Sequence, residues 1–289
     1  MKIKEYMHKT STQGQSAPRL SVIIPTLNEI AYLPLLLDAL AVQTRLPDEI
    51  IVADAGSKDG TAELAQSRGI RVVRGGMPGV GRNAGARAAI GELLLFLDAD
   101  VLPPPDFIQR VVEEFKFKNY DVATCFIAPI DGNPLDEVIC IGTNLYFRII
   151  QPISPHAPGF CILSNRIAHE NMKGFDESLM LSEDIDYARR SKQHGKFGFL
   201  STSRIPVSMR RVGKEGLVGL GLKYAWCEMY ALVGKPVRKA PFEYEFGMFS
   251  SPTMSNRLGF FQIKRLHHQW NKLELLVQRI TRIIQEQLD

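Results

Sequence analysis

The sequence is short of the features that place a chain quickly. It has four cysteines in 289 residues: Cys125, Cys140, Cys161 and Cys227. They are scattered and form no C-x-x-C pair. That argues against a zinc site or a disulfide framework and fits reduced thiols in a cytosolic setting. The N-terminal stretch MKIKEYMHKTSTQGQSAPRL has no apolar core, so it does not read as a secretory signal. No G-K-[ST] follows the glycines of PGVGRNAGA (Pro78–Ala86), which excludes a P-loop. No G-x-G-x-x-G follows the first apolar run, which disfavours a dinucleotide cofactor. There is no internal repeat or low-complexity tract. Excess charge is also scarce: the net charge of +4 is too weak to argue for nucleic acid.

What is present is an alternation. LSVIIP is a short β-branched run that stops at a proline and reads as a buried strand. NEIAYLPLLLDALAVQ follows with helical spacing and Asn28 as its cap. Then come EIIVADAGS (strand and turn), DGTAELAQSRG (helix), IRVVRGG (short strand), GRNAGARAAIG (helix), ELLLFLDAD (strand) and PPDFIQRVVEEFKFKN (helix). The strands are apolar throughout rather than alternating. This predicts an α/β fold with a mostly parallel sheet covered by helices on both faces. Ligands of such sheets bind beyond the carboxyl ends of the strands. Three of those ends carry polar clusters: Pro25-Thr26-Leu27-Asn28-Glu29, Asp54-Ala55-Gly56-Ser57 and Asp98-Ala99-Asp100.

The second half is less regular. DVATCFIAPI and FGFLSTSRIPVSMRR read as strands, and a helix starts near Ser182, with Ser182 as N-cap and acidic residues in its first turn. Residues 216–234 (GLVGLGLKYAWCEMYALVG) hold one Lys and one Glu. Their aromatic residues and basic surround suggest a helix lying at a membrane surface; a helix buried against the main domain is the plainer reading. The tail from Gln262 to Asp289 reads as a long amphipathic helix with a basic face. The expected organisation is a leader (1–19), a main domain (20–211) and a helical, membrane-proximal extension (212–289).

Some of these residues suit chemistry. Asp98 and Asp100 end an apolar strand, and two carboxylates so close repel unless a cation is near. Mg²⁺ and Mn²⁺ accept one or two carboxylates plus substrate phosphates. Local turn bonding is the ordinary role of such aspartates. Glu183-Asp184 could supply a general base, although such a pair is more often a solvated helix start. Gly-rich Pro78–Ala86 with Arg82 could meet an anion, or be a turn with a surface arginine.

Taken in order, SVIIPTLNE, IIVADAGSKDGT, GRNAGARAAIGELLLFLDAD and GFDESLMLSEDIDYARR resemble the family 2 glycosyltransferases, over about Leu20 to Arg211. The resemblance implies the GT-A fold. It also implies inverting transfer of a sugar from a UDP- or GDP-linked donor with Mg²⁺ or Mn²⁺. On that resemblance Pro25, Thr26, Asn28 and Glu29 form the first donor loop, and Asp54 receives the base, with Ser57, Lys58 and Asp59 in the following turn. Arg82 and Asn83 lie near the donor. Asp98, Ala99 and Asp100 form the D-x-D element, with Asp98 toward the ribose and Asp98 and Asp100 as metal ligands. Asp184, beside Glu183, is the base. Ala55 stands where the family commonly has a second aspartate, which leaves UDP and GDP both open. The Q-x-x-R-W signature of processive members is absent. Arg210-Arg211 occupies that region, which suggests single addition and a grip on donor or lipid phosphate.

The expected acceptor is a hydroxyl or phosphate, borne on a lipid-linked sugar or a polyprenyl phosphate. The expected location is the cytoplasmic face of a membrane, peripherally bound. Two other readings stay open: a nucleotidyltransferase-like enzyme, and a non-catalytic module that binds sugar nucleotide as a membrane scaffold. The first would carry a Gly-rich, basic signature after the first strand, which PTLNEI lacks. The Asp131–His156 segment and Met77–Gly81 suit specificity. His156 is either an acceptor contact or a structural loop histidine.

Overall fold

The computed structural model describes residues 18–130, 134–232, 237, 238 and 242. The expected helix over 262–289 and most of the leader lie outside these residues. All the described residues belong to one compact unit, Met1–Phe249.

The sheet has seven strands: β1 (Leu20–Thr26), β2 (Glu49–Asp54), β3 (Arg71–Arg74), β4 (Leu93–Leu97), β5 (Val122–Pro129), β6 (Cys161–Asn165) and β7 (Phe197–Val207). Their spatial order is β3-β2-β1-β4-β6-β5-β7. β1 pairs parallel with both β2 and β4, and β2 with β3. Thr26 and Asp54 are register partners, and Pro25 pairs with Ala53. So the chain continues as strand through Pro25 rather than stopping there. The β4 ladder on its other side ends at Ile23, so the missing N–H of Pro25 interrupts no bond.

β6 is the departure from the expected sheet. It runs antiparallel to β4 and to β5, while β7 returns parallel to β5. The sheet is therefore mixed but mostly parallel. The reversal has a consequence for function. Leu97 pairs with Cys161, so the segment entering β6 arrives at the edge where β4 ends. Gly159 thereby comes beside Asp98, which follows β4.

Burial explains why these runs are strands. All five residues of β4 are buried, as are Leu20–Ile24 of β1 and Ile51–Asp54 of β2. Apolar side chains on both faces require a cover on both faces. On one face, the leucines of α1 (Leu33–Ala41) and the Phe107, Val111 and Phe115 row of α4 (Phe107–Phe117) pack with Leu95 and Leu97. On the other, Ile23, Ile51, Leu94 and Phe96 meet Ala86 of α3 (Pro78–Ala88) and Phe175, Tyr187 and Ala188. Tyr187 lies on α7 (Glu183–His194). α2 (Thr61–Ser67) follows β2, α5 (Pro134–Ile150) and α6 (Arg166–Asn171) flank β6, and α8 (Arg210–Glu215) and α9 (Leu217–Leu232) follow β7.

Two helix starts differ from expectation. Asn28 does not cap α1, which begins five residues later with Pro34 in its first turn. Asn28 instead adopts φ 54° and braces two loops, as described below. Ser182 precedes α7 as expected, but with φ 63° and no side-chain cap bond. The first turn of α7 still gathers Glu183, Asp184 and Asp186, where carboxylates suit the helix dipole.

α9 packs against the main unit. Cys227, with Trp226 and Tyr230 partly covered, joins Leu181, Met180 and Val237 in a small apolar cluster. Among the described residues no helix is long and apolar enough to cross a membrane. The four cysteines are free and buried.

Candidate active site

The ends of β1 and β2 are cross-braced by hydrogen bonds, most of them accepted by the Asp54 carboxylate. Asp54 accepts from the backbone N–H of Gly56 and Ser57 through Oδ2, each at 2.9 Å. Its Oδ1 accepts from Ser57 Oγ at 2.5 Å and Thr26 Oγ1 at 3.1 Å. Ser57 Oγ also accepts from the Asn28 N–H, and Asn28 Oδ1 accepts from the Lys58 N–H, both at 2.8 Å. Asp59 holds Thr61 and the Ile30 N–H in the same way. Thr26, Asn28, Asp54 and Ser57 are thus brought together, and both oxygens of Asp54 serve the turn.

A network of charge lies next to this frame. Arg82, on α3, is almost fully buried and reaches two carboxylates that are distant in sequence. Nη1 donates to Glu183 Oε1 at 2.6 Å and Nη2 to Asp98 Oδ1 at 2.8 Å. Its guanidinium also lies 5.5 Å from the centre of the Phe175 ring. A second arginine, Arg210, grips Glu29 with two bonds of 2.9 and 2.6 Å, and its Nε sits 3.0 Å from Asp100 Oδ2. Tyr32 stacks under it, 4.6 Å from ring centre to guanidinium. Each aspartate after β4 therefore has its own arginine, and Ala99 between them is buried.

Asp184 is fixed by backbone. Its Oδ2 accepts from the Gly159 N–H at 2.9 Å and its Oδ1 from the Ile185 N–H at 2.8 Å. Gly159 is one position the sequence did not single out. A Cβ there would lie 2.1 Å from Arg82 Nη2 and 3.3 Å from Asp98 Oδ2. Only glycine lets this backbone pass the guanidinium and still donate to Asp184. The signal was the PHAPGF stretch, read only for its histidine.

The electrostatics separate this cluster from an ordinary surface. Burial raises the Glu183 carboxyl to about 7, with repulsion from Asp184 adding and Arg82 opposing. Burial also raises Asp100, with Asp98 adding to the effect and Arg210 opposing it. Burial raises Glu29, against the pull of Arg210. Arg82 stays charged, its carboxylate neighbours outweighing its burial. More carboxylate than cation is gathered here, a pattern common in functional sites.

Among the described residues, no group of three His, Cys, Asp or Glu side chains is placed to hold a metal ion. Asp98 and Asp100 are two oxygen donors, and Asp100 is disfavoured as an anion where it stands. That suits a hard divalent ion, which takes one or two carboxylates and completes its shell with phosphates and water.

Other expected residues have different work. Asn83 donates through Nδ2 to Phe175 O and Glu177 Oε1 and accepts from the Phe175 N–H, each at 2.9 Å. It holds the turn that leads to α7. Pro25 supports α3, its Cβ lying 3.2 Å from where a Cβ on Gly81 would be. His156 is buried, with Nδ1 2.7 Å from Ser154 O and Nε2 2.6 Å from Glu228 Oε2 on α9. Arg211 opens α8 beside Arg210, and its charge is felt by Asp100.

A family model described as glycosyl transferase family 2 matches residues 21–172, which contain β1 through β6 and the Asp98-Ala99-Asp100 element. The chain belongs to glycosyltransferase family 2. The O-antigen chain rhamnosyltransferase RfbN of Salmonella typhimurium is 28% identical over 211 residues, 61% of this chain and 62% of that protein. The undecaprenyl-phosphate 4-deoxy-4-formamido-L-arabinose transferase of Yersinia enterocolitica is 33% identical over 129 residues, 38% of this chain and 37% of that one. The chain thus spans less than two thirds of these curated relatives' length, from 62% of one down to 23% of another. Among solved structures, S. aureus TarS 1–349 with UDP-GlcNAc matches with TM-score 0.53 at 23% identity, over 66% of this chain and 59% of that one. Glucosyl-3-phosphoglycerate synthase of Mycobacterium tuberculosis, solved with Mn²⁺, UDP and phosphoglyceric acid, matches with TM-score 0.53 at 19% identity, over 76% and 80%. These likenesses bear out the family's GT-A fold.

Proposed function

We propose that this family 2 member is an inverting glycosyltransferase that moves one sugar from a nucleoside diphosphate to an acceptor hydroxyl or phosphate carried on a lipid. One observation carries the reading. Arg82 bonds both to Asp98, at the end of β4, and to Glu183, beside Asp184 at the start of α7. A leaving-group station and the helix turn that carries the base are thereby tied to one buried side chain.

The braced loop of Thr26, Asn28, Asp54 and Ser57 shapes the seat for the base and ribose. Asp54 acts there by fixing the turn. Glu29, Asp98, Ala99, Arg210 and Arg211 border the diphosphate, Pro25 and Asn83 hold α3 and its neighbouring turn in place, and Asp100 with Asp98 would hold Mg²⁺ or Mn²⁺. Such an ion, when bound, supplies charge neutralisation to the departing diphosphate.

Asp184 takes the proton of the acceptor hydroxyl, whose oxygen bonds to C1 as the bond from C1 to the nucleotide's phosphate oxygen breaks. One base suffices for inversion, since no covalent intermediate forms. The Gly159 N–H keeps the carboxylate oriented. A relative named for an undecaprenyl-phosphate transfer supports a lipid-borne acceptor. The site of action would be the cytoplasmic membrane face.

The test is a panel of UDP- and GDP-sugars incubated with the protein and Mn²⁺, with nucleotide release read by chromatography. Release from one nucleotide class, abolished by chelation, is expected. Binding without release from any donor would favour a non-catalytic module.

A further inference from the structure

Residues 154–157 belong to no helix or strand, yet all are buried. Loops ordinarily run over the surface, where water satisfies their backbone. This one runs inside and leads to Gly159, whose N–H donates to Asp184 Oδ2 at 2.9 Å. Whatever holds the loop decides where that donor sits.

His156 is its anchor. Gln151 closes the main chain there, donating through Nε2 to His156 O at 2.8 Å and accepting from the His156 N–H at 3.3 Å. Lys192 of α7 ties the start of the loop by donating to Gln151 O and Pro152 O. The His156 ring lies 5.8 Å from that of Tyr146 and 5.9 Å from that of Phe147, both on α5. His156 is 3% exposed and both ring nitrogens are engaged, so it offers no atom to an acceptor.

The neighbours of the ring fix its proton count. Ser154 O can only accept, so Nδ1 carries a hydrogen. Nε2 faces Glu228 Oε2 at 2.6 Å. Two lone pairs repel at that separation, so one proton lies between the two atoms. The bond is charge-assisted, with the Glu228 side chain only 17% exposed.

α9 grips the other side of Asp184 as well. Cys227, next to Glu228, packs with Leu181, three residues before Asp184. Neighbouring residues of one helix thus reach both segments that fix Asp184, the loop into β6 and the turn into α7. Pro155 and Pro158 lock two φ angles between Ser154 and Gly159, which leaves little slack to absorb a shift of His156.

We infer that His156 and Glu228 are positioning residues for the transfer: their bond pins the Ser154–Gly159 loop to α9 and so sets the N–H that orients Asp184. The inference rests on the reading of Asp184 as the base.

Two readouts on the full chain test it. Hydrogen exchange of peptides covering 154–161 reports the loop, and nucleotide release from the donor that the UDP- and GDP-sugar panel turns over reports the reaction. Glu228→Ala should speed exchange and lower kcat, each by about tenfold, with the donor KM within about twofold. Glu228→Gln should stay within about twofold of wild type in both, because its amide can donate to Nε2 of a neutral ring. In the Asp184→Asn background, Glu228→Ala should lower kcat no further, since a group acting through Asp184 has nothing left to act on. His156→Ala removes the other half of the pair and carries the same measurements should Glu228→Ala fail to fold. Wild-type kcat in the alanine variants overturns the inference. So does a glutamine variant as impaired as the alanine one, or a loss that repeats in full without the Asp184 carboxylate. Wild-type turnover in Asp184→Asn alone, or no donor turned over at all, overturns the base reading instead, and exchange then decides by itself whether the pair pins the loop.

Discussion

Two buried glutamates show how differently this molecule treats the same group. Glu114, where α4 meets β7, accepts from the N–H and Oγ of Ser201, the N–H and Oγ1 of Thr202, and pairs with Lys118. Those donors outweigh its burial and hold its carboxyl down at about 2. Glu183, where α3 meets α7, has Arg82, shares it with Asp98, and lies beside another carboxylate. It is pushed up to about 7. The scaffold satisfies its buried charge; the cleft keeps it under-compensated. An under-compensated carboxylate cluster is poised for an incoming cation or a proton, and this contrast sets the cleft apart from the rest of the protein.

Breaking the cleft side should have the largest effect. Arg82→Met strips Glu183 and Asp98 of their shared cation, and urea unfolding should show a loss of about 3–5 kcal/mol. Adding Glu183→Gln should restore part of it, since one buried charge is then gone. No restoration would mean that Arg82 acts by packing on Phe175 instead.

The scaffold side comes next. Glu114→Gln should cost on the order of 2–3 kcal/mol at pH 7. The signs of the two sites are opposite. Glu114 contributes stability that is present above pH 4.5 and lost as pH falls toward about 2, because the unfolded chain takes up the proton first. Glu183 binds its proton more tightly when folded, so its contribution declines as pH rises from 4.5 to about 7. Unfolding midpoints across pH should show Glu114→Gln removing an acid-side slope and Glu183→Gln removing a slope of the other sign. Equal slopes in both variants would erase the distinction.

Gly159→Ala should push the Arg82 guanidinium aside, at a stability cost smaller than that of Arg82→Met. Sugar transfer should fall about 10²-fold, the scale of a misplaced catalytic group. The smallest effect belongs to the brace around Asp54. Ser57→Ala removes bonds to Asp54 and Asn28 and should cost about 1 kcal/mol, with nucleotide affinity lowered alongside.

How much of this was legible depends on the distance between partners in the chain. β1, β2 and β4 announce themselves as unbroken apolar runs, and each polar cluster follows its strand directly. The clustering of these loops was therefore readable, down to Asp54 and Ser57. β6 was missed because CILSN is five residues long, and no local pattern says that it inserts antiparallel between β4 and β5. Its reversal is what delivers Gly159 to the site. The role of Arg82 was equally hidden. A glycine-rich helix start suggested an anion-facing arginine, whereas its partner Glu183 lies 101 residues away. Asn28 looked like a helix cap because Asn before an apolar stretch is a standard signal. The left-handed backbone it adopts commits its amide to Lys58 instead.

The central claim is that Asp184 performs the proton transfer while Asp98 and Asp100 serve the leaving group. Asp184→Asn tests it most directly, because the amide can still accept from the Gly159 N–H but cannot take a proton. Calorimetric titration with the active sugar nucleotide and a turnover assay, run on the same preparation, give the answer. The account predicts unchanged donor affinity and transfer reduced by about 10²–10⁴-fold. Wild-type turnover in this variant would contradict it.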